Sequence, residues 1–391
     1  MAFMRNDAVN RVNLHSGIQA LAQSGGGIFF VVYLVQAGVP IPIALATMAA
    51  ILTVRFILRP AILPLAIRWG LKPPLIAGVL ALAAQYPLLA RVHGVDGTLA
   101  ALGLVTALGE ILYWPNYNAY FAAIGDDEHR GHQIGAREAL VAVAGILAPL
   151  AGGWALVTFG PGPMFAAVGL IQALSALPLI GAPNVAIQKA PAPGLFRTAR
   201  VGMILAAADS WFDSSFFFVW QVALFLSLGR DFSSYGGAMA LAGLVGAACG
   251  LLLGRHIDGG GGRRATLIAY ALTAAVVVAR TASAGSPWLA VGANAAGAFV
   301  MSLISPVIGA AIYPLAKAAP CPLRFLILTE ASWDVGCIGG CLAAAGLVAS
   351  GVPLHLTMLL SLPALALAAV ALRRYYAGAV NATAPGSARS G

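Results

Sequence analysis

Hydrophobic residues fill this chain in long runs, and short clusters of proline, glycine and charged residues interrupt the runs at regular intervals. About 20 apolar residues cross the roughly 30 Å hydrocarbon core of a bilayer. The runs reach that length and predict twelve membrane-spanning helices, at 13–37, 42–67, 73–92, 97–124, 132–158, 163–185, 199–228, 234–255, 264–283, 287–316, 323–350 and 353–375. An even number of spans places both termini on one side of the membrane.

Composition agrees with an all-α integral membrane protein. Of the 391 residues, 60% are hydrophobic and only 9% are charged, against about 25% charged in soluble domains. The 46 glycines suit close packing of helices in lipid. Cys337 and Cys341 lie one helical turn apart in an apolar span, which favours small packing residues over a metal site, so we expect no metal and no cofactor.

The basic residues show which side of the membrane holds the termini. The net charge is +9, but the basic residues are scattered between spans rather than gathered in a patch, so nucleic acid is not an expected partner. They concentrate in loops on the side of the termini, while the opposite loops hold only Arg91, Arg230 and Arg280. The positive-inside rule therefore predicts cytoplasmic termini, in a multi-pass protein of the cell membrane, here a bacterial inner membrane.

The two halves of the chain echo each other. Gly38 and Gly229, each just after the first span of its half, are 191 residues apart, and Pro115 and Pro306, each inside the fourth span, have the same separation. Six spans per repeat keep the second copy parallel to the first. The predicted domains are an N-terminal six-helix bundle (1–187), a cytoplasmic linker (188–198), a C-terminal six-helix bundle (199–376) and a flexible cytoplasmic tail (377–391).

Three segments carry a resemblance to a known family. They are PLAIRWGLKPPL after the second span, with Arg68, Gly70 and Lys72; GRHIDGGGGRR after the eighth, with Gly254, Asp258, Arg263 and Arg264; and APLAGG in the fifth, with Pro149, Gly152 and Gly153. With these motifs the chain resembles the major facilitator superfamily over nearly its whole length. The departures are Ile67 in place of the aspartate of the first loop motif, and Ala148 in place of the first glycine of the third.

The resemblance implies a fold of two parallel six-helix bundles, with a substrate cavity between them that opens alternately to each side. The three segments are then conformational motifs, and the fifth-span motif is similar to that of the proton-coupled exporters of the family. Their arginine in the fourth span is missing here, where Glu110 is the only charge. The chain contains no phosphate-binding GxxxxGK[ST] loop and no HExxH or GxSxG motif, so neither ATP-driven transport nor an enzyme is expected.

Two pairs of charged residues predict contacts between the halves. A charged side chain in the middle of a membrane helix costs roughly 2.5–3.5 kcal/mol, so it pairs or faces water. Arg55 and Arg59 share one face of the second span, and Glu330 and Asp334 lie at matching depths in the eleventh. We expect an interdomain gate that pairs Arg59 with Glu330 and Arg55 with Asp334. Two alternatives stay open: a static pair of Arg55 with Glu110, and anion binding by the arginines.

Asp209 and Asp213 lie in the middle of the seventh span, with no basic residue near them in the sequence. A desolvated carboxyl group without a partner can exchange a proton near neutral pH. Asp209, Asp213 and Glu110 are therefore the candidates for proton coupling. The alternatives are binding of a cationic group of the substrate, or hydrogen bonds to the backbone or to Ser210 and Ser214.

Amide and aromatic side chains near these charges are candidates for the lining of the cavity. They are Gln19, Gln23, Tyr113, Trp114, Asn118, Trp211, Gln221, Asn294 and Trp333. The function predicted from the sequence is a secondary active transporter of a small organic solute, driven by a proton gradient and exporting its substrate. The alternative is an importer, or an exchanger that holds an organic anion with Arg55 and Arg59. The expected partners are the substrate and the bilayer, with the protein a monomer.

Overall fold

The computed structural model describes residues 6–124, 130–187, 193–253, 262–319 and 321–383, which are helical and contain no β-strand. Over these ranges the chain forms twelve helical segments: α1 (Asp7–Gln36), α2 (Ile41–Trp69), α3 (Lys72–Leu89), α4 (Gly97–Ile124), α5 (Arg130–Phe159), α6 (Pro161–Ile180), α7 (195–227), α8 (Phe232–Leu253), α9 (Gly262–Ala282), α10 (Pro287–Ala318), α11 (Pro322–Ala349) and α12 (354–383). Each overlaps one predicted span.

The all-α membrane fold is confirmed. Within the described ranges, nine segments contain a helix long and apolar enough to cross a membrane, and these are α1, α2, α4, α5, α6, α8, α10, α11 and α12. Segment α9 contains a shorter apolar helix, Thr266–Ala282. Segments α3 and α7 belong to the same bundle, because α3 packs on α4 and α7 packs on α11.

Proline and glycine set the ends of several segments, as their backbone chemistry requires. Pro161, Pro287 and Pro322 stand in the first helical positions of α6, α10 and α11, where a missing N–H costs nothing. Gly70 ends α2 with φ of +77°, a left-handed conformation that favours glycine. A Cβ atom at this position would also collide with the side-chain amide of Asn184.

The same helix pairs pack in both halves. In the N-terminal half α1 packs on α5, α2 on α4 and α3 on α4 and α6; in the C-terminal half α7 packs on α11, α8 on α10 and α9 on α10 and α12. Between the halves, α2 packs on α11 and α5 on α8. A shift of six helices exchanges these two interfaces, as expected for two parallel repeats.

Aromatic residues join the halves at one end of the bundle. We call this end distal, because α1 ends there at Gln36 and α2 begins there at Ile41; the opposite end, with Asp7 and Trp69, is proximal. Phe29 of α1 lies 6.0 Å from Phe232 of α8, ring centre to ring centre, and the Tyr235 hydroxyl donates to the Ile28 carbonyl at 3.1 Å. This distal cluster is apolar and buried, so it excludes water from between the halves at that end.

Candidate functional site

A cavity of about 610 Å³ lies between the two halves and borders the distal cluster. Its walls come from α1, α2, α3, α4, α6, α7 and α11. Ligand pockets in proteins commonly measure about 300–1,000 Å³, so the cavity has room for a small organic molecule. Six of the amide and aromatic residues predicted from the sequence line it: Gln19, Gln23, Trp114, Asn118, Gln221 and Trp333.

A buried carboxylate at the edge of this cavity holds both arginines of α2. The Oδ1 of Asp334 accepts the Nε of Arg55 at 2.8 Å and also its Nη2, and Oδ2 accepts the Nε of Arg59 at 3.0 Å and also its Nη2. Asp334 has no exposed surface. Each arginine therefore donates two charge-assisted hydrogen bonds to one oxygen of the carboxylate.

Two further carboxylates complete the cluster from the side of the cavity. Arg55 donates its Nη1 to Glu110 at 2.5 Å, and Arg59 donates its Nη1 to Glu330 at 2.6 Å. Glu330 also accepts the Asn118 amide at 3.2 Å. We call Arg55, Arg59, Glu110, Glu330 and Asp334 the ion cluster. The Glu110 and Glu330 side chains are 30% and 26% exposed, so they form the solvent-accessible side of this cluster.

The ion cluster contains both of the pairings that the sequence left open. Arg55 pairs with Glu110 inside the N-terminal half and with Asp334 across the halves, while the partners of Arg59 among the described residues all lie across the halves. The two pairings do not compete, because a guanidinium group carries five N–H donors. Both arginines have little exposed surface, at 8% and 4%.

The aspartates of α7 are placed differently from each other. Asp213 lines the cavity, and its Oδ1 is buried without a hydrogen-bond partner. Asp209 lies one turn nearer the proximal end and is not part of the lining. The hydroxyls of Ser210 and Ser214 donate to backbone carbonyls of α7 at 3.1 and 2.7 Å, rather than to the carboxylates.

Three residues predicted to line the cavity lie elsewhere, and each is held by a specific partner. Tyr113 is buried within the N-terminal half, with its hydroxyl 3.0 Å from the Nε2 of His15. The Trp211 indole donates to the Leu360 carbonyl at 3.0 Å. Asn294 accepts the Trp220 indole at 3.0 Å and donates to the Ala238 carbonyl. These side chains connect helices to one another and are not among the residues that line this cavity.

The loop after α2 ties two helices of one half together. The Lys72 ammonium donates to the carbonyls of Ala182 and Ile180 at 2.8 and 3.2 Å, at the end of α6. The Arg68 guanidinium lies over the ring of the neighbouring Trp69. In the corresponding loop of the second half, Gly254 and Asp258 lie outside the described residues, as do the side chains of Arg263 and Arg264.

The fifth-span motif lies where helices approach most closely. A Cβ atom on Gly152 would collide with the Gly25 carbonyl of α1, and one on Gly153 would meet the Phe232 backbone of α8. The Pro149 carbonyl lies against Gly236 of α8. Gly153 and Pro149 therefore belong to the contact between the halves, and Gly152 to packing inside the N-terminal half.

Sequence reasoning missed a buried arginine. We expected Arg280 in a loop, but its side chain turns from the last turn of α9 into the C-terminal half and is only 3% exposed. Its Nη1 donates to the Phe216 carbonyl at 2.7 Å, and its guanidinium group lies 3.7 Å from the Phe216 ring centre and 4.7 Å from that of Trp220. Phe216 belongs to a π-helical turn, Ser214–Val219, which follows Asp213 directly.

Three polar residues of the lining were also missed: Gln85, Thr106 and Gln172. The Thr106 hydroxyl donates to the Gln85 amide at 3.1 Å and connects α4 to α3. An amide in an otherwise apolar span was the signal that identified Gln19 and Gln23, and it also applies to Gln85 and Gln172.

Comparison with known proteins identifies this architecture. Residues 18–198 match the family model of the Major Facilitator Superfamily. The fold is similar to that of the POT family transporter PepTSo (13% identity, TM-score 0.70, 96% of this chain and 99% of that chain). It is also similar to a POT family transporter in complex with 5-aminolevulinic acid (10%, 0.71, 96% and 96%) and to the peptide transporter POT in complex with sulfate (15%, 0.65, 96% and 94%). No curated protein matches the chain in sequence.

The solved structures are at most 15% identical to this chain, so the likeness to them shows the fold alone. The family match covers residues 18–198, less than half of the chain, and the solved structures of similar fold are transporters. The matched proteins are transporters rather than enzymes, in agreement with the sequence prediction.

Proposed function

We propose that this chain is a transporter of the major facilitator superfamily, whose family model residues 18–198 match, and that it exports a small organic solute by alternating access driven by a proton gradient. The observation that carries the proposal is the ion cluster. It joins α2 of one half to α11 of the other beside a cavity between the halves. A closure built from such pairs can separate when water enters, because the separated charges are then solvated.

The proton is assigned to Asp213, with Glu110 as the second site. Asp213 faces the cavity and has an oxygen atom without a hydrogen-bond partner, so a proton bound there replaces no existing contact. Glu110 lines the same cavity from α4 and already holds Arg55. A change of charge at Glu110 would therefore act directly on the ion cluster.

Export is proposed from α5, where Pro149 and Gly153 contact α8 and repeat the motif that is similar to that of exporters of the family. Import is the alternative direction of transport. Exchange of an organic anion is disfavoured. Arg55 and Arg59 each have their Nε, Nη1 and Nη2 atoms bonded to carboxylates, which leaves little positive charge for an anion.

Flux in proteoliposomes with an imposed pH gradient tests this proposal. Screening organic cations, anions and neutral solutes in both gradient directions identifies the coupling and the direction of transport. We expect Asp213→Asn to abolish pH-driven flux, while substrate exchange without a gradient remains at raised substrate concentration. The matched control is Asp96→Asn, which changes an exposed carboxylate at the start of α4. Unchanged pH-driven flux in both Asp213→Asn and Glu110→Gln would overturn the assignment of the proton.

A further inference from the structure

The charges that face the cavity do not balance. Its wall contains Arg55 and Arg59 but three carboxylates, Glu110, Asp213 and Glu330, and the fully buried Asp334 stands directly behind the arginines. No lysine or histidine lines the cavity among the described residues. With all these groups ionised, the site carries two more negative than positive charges.

The positive charges are also the less accessible ones. Asp334 binds each arginine with two donors, and Glu110 or Glu330 takes the remaining Nη1 on the side of the cavity. A solute in the cavity therefore meets carboxylate oxygens before it meets a guanidinium group. The Oε1 of Glu110 has no hydrogen-bond partner in the described part of the chain, although this side chain is partly exposed to the cavity.

Aromatic rings supply the rest of the wall. Trp114 of α4, Phe30 of α1 and Phe217 and Phe218 of α7 line the cavity together with Tyr86 and Trp333. The faces of such rings attract cations, most strongly where water is excluded. Arg55 already lies over Trp333, 5.3 Å from the ring centre. The site thus combines excess negative charge with apolar, electron-rich surfaces.

From these observations we propose that the substrate is an organic cation with an apolar or aromatic body, whose positive charge is held between Glu110 of α4 and Asp213 of α7. This inference rests on the proposed transport function and gives its substrate class. The two carboxylates belong to different halves, so a cation held between them contacts both halves. An anion of the same shape would meet the repulsion of the uncompensated carboxylates.

Equilibrium dialysis of the purified protein in uncharged detergent tests the charge preference. The probes are tetraphenylphosphonium and tetraphenylborate, two ions of nearly the same shape and of opposite charge. We expect the cation to bind at least about tenfold more tightly than the anion, because one unit charge near carboxylates at low dielectric supplies that difference. Equal or tighter binding of tetraphenylborate, or no binding of either ion, contradicts the inference.

Variants locate the charge within the cavity. We expect Glu110→Gln and Asp213→Asn each to weaken tetraphenylphosphonium binding by about tenfold and to narrow the difference between the two ions. The matched control is Glu138→Gln, which removes an exposed carboxylate paired with Arg137 on α5. If either variant misfolds, the relative affinity of the wild-type protein for the two ions still tests the inference. Unchanged binding in both folded variants overturns the location.

This experiment separates the inference from the proposed function. Binding to the purified protein requires neither a gradient nor a direction. A preference for the anion would reject the cationic substrate and leave pH-driven transport standing. Absence of pH-driven flux by the wild-type protein in liposomes, with the cation preference intact, would reject the proposed function alone.

Discussion

Two interfaces join the halves of this protein, and a shift of six helices exchanges them, yet their chemistry differs. Between α5 and α8 the backbones touch: Gly236 lies against the Pro149 carbonyl and Gly243 against that of Gly145. Between α2 and α11 the contact runs through the charged side chains of the ion cluster. Glycine contacts permit the close approach of two helices, whereas charged pairs form when water is excluded and separate when water solvates the charges. We infer that α5–α8 is the pivot and α2–α11 the closure.

The largest effect is expected at Asp334, the residue that both arginines share. Asp334→Asn leaves two guanidinium groups facing an amide in a buried site. Loss of one partner from a buried ion pair costs roughly 3–5 kcal/mol, so thermal unfolding in detergent should show a large loss of stability. Glu138→Gln changes an exposed pair, which contributes at most about 1 kcal/mol. Equal unfolding temperatures for the two variants would show that Asp334 does not anchor the closure.

At the pivot, a methyl group is expected to force the helices apart. A Cβ atom on Gly236 would collide with the Pro149 carbonyl, whereas one on Gly250, in the same helix, meets nothing within 4 Å. Overpacking of this kind costs about 1–3 kcal/mol. Gly236→Ala should therefore lower the unfolding temperature and the flux, and Gly250→Ala should leave both close to wild type. The reverse order would assign the pivot elsewhere.

Arg280 tests whether the π-helical turn positions Asp213. Arg280→Lys keeps the charge but loses the flat guanidinium group that stacks on Phe216 and Trp220. Contacts of this kind contribute about 0.5–2 kcal/mol. We expect a modest loss of stability together with a shifted pH dependence of transport. A stability loss with an unchanged pH profile would make Arg280 a packing residue only.

A double-mutant cycle gives the finest distinction, because it compares a pair across the halves with a pair inside one half. Removal of Arg59 and Glu330, singly and together, should give a coupling energy of about 0.5–3 kcal/mol, and this energy should fall when substrate drives opening. The coupling of Arg55 with Glu110 should not respond to substrate. Equal responses of the two pairs would remove the distinction between gate and static pair.

The structure also limits a simpler test, the exchange of Arg59 and Glu330. Arg59→Glu places a carboxylate beside Asp334, because Arg59 bonds to both acids. The exchanged pair restores one contact and creates one repulsion. We therefore expect partial rescue at most, which agrees with a shared anchor rather than independent ion pairs.

The sequence predicted what depends on helix geometry. Arg55, Arg59, Glu330 and Asp334 were matched by their depth along two helices, and the structure brings them together. It did not predict that Asp334 is shared, since depth does not give the rotation of a helix about its axis. Rotation also decides that Tyr113 faces His15 while the adjacent Trp114 faces the cavity.

The spacing of small residues by one helical turn does not identify the contact between α5 and α8. The glycines of α8 that touch α5 are Gly236 and Gly243, which are seven residues apart. Arg280 was missed for another reason. Arg280 lies where the apolar run of its span ends, so hydropathy assigns it to a loop. Nothing in the local sequence shows that its side chain turns inward to the Phe216 carbonyl.

Distances between spin labels at the two ends of the bundle test the central claim most directly. One pair, Trp69→Cys with Phe196→Cys, lies on exposed proximal positions of the two halves, and the other, Val95→Cys with Trp288→Cys, on exposed distal positions. Both are made in a protein whose native cysteines are replaced. Alternating access predicts that a change of pH or addition of a transported cation lengthens one distance while it shortens the other. Distances that stay fixed, or that change in the same direction, would contradict it.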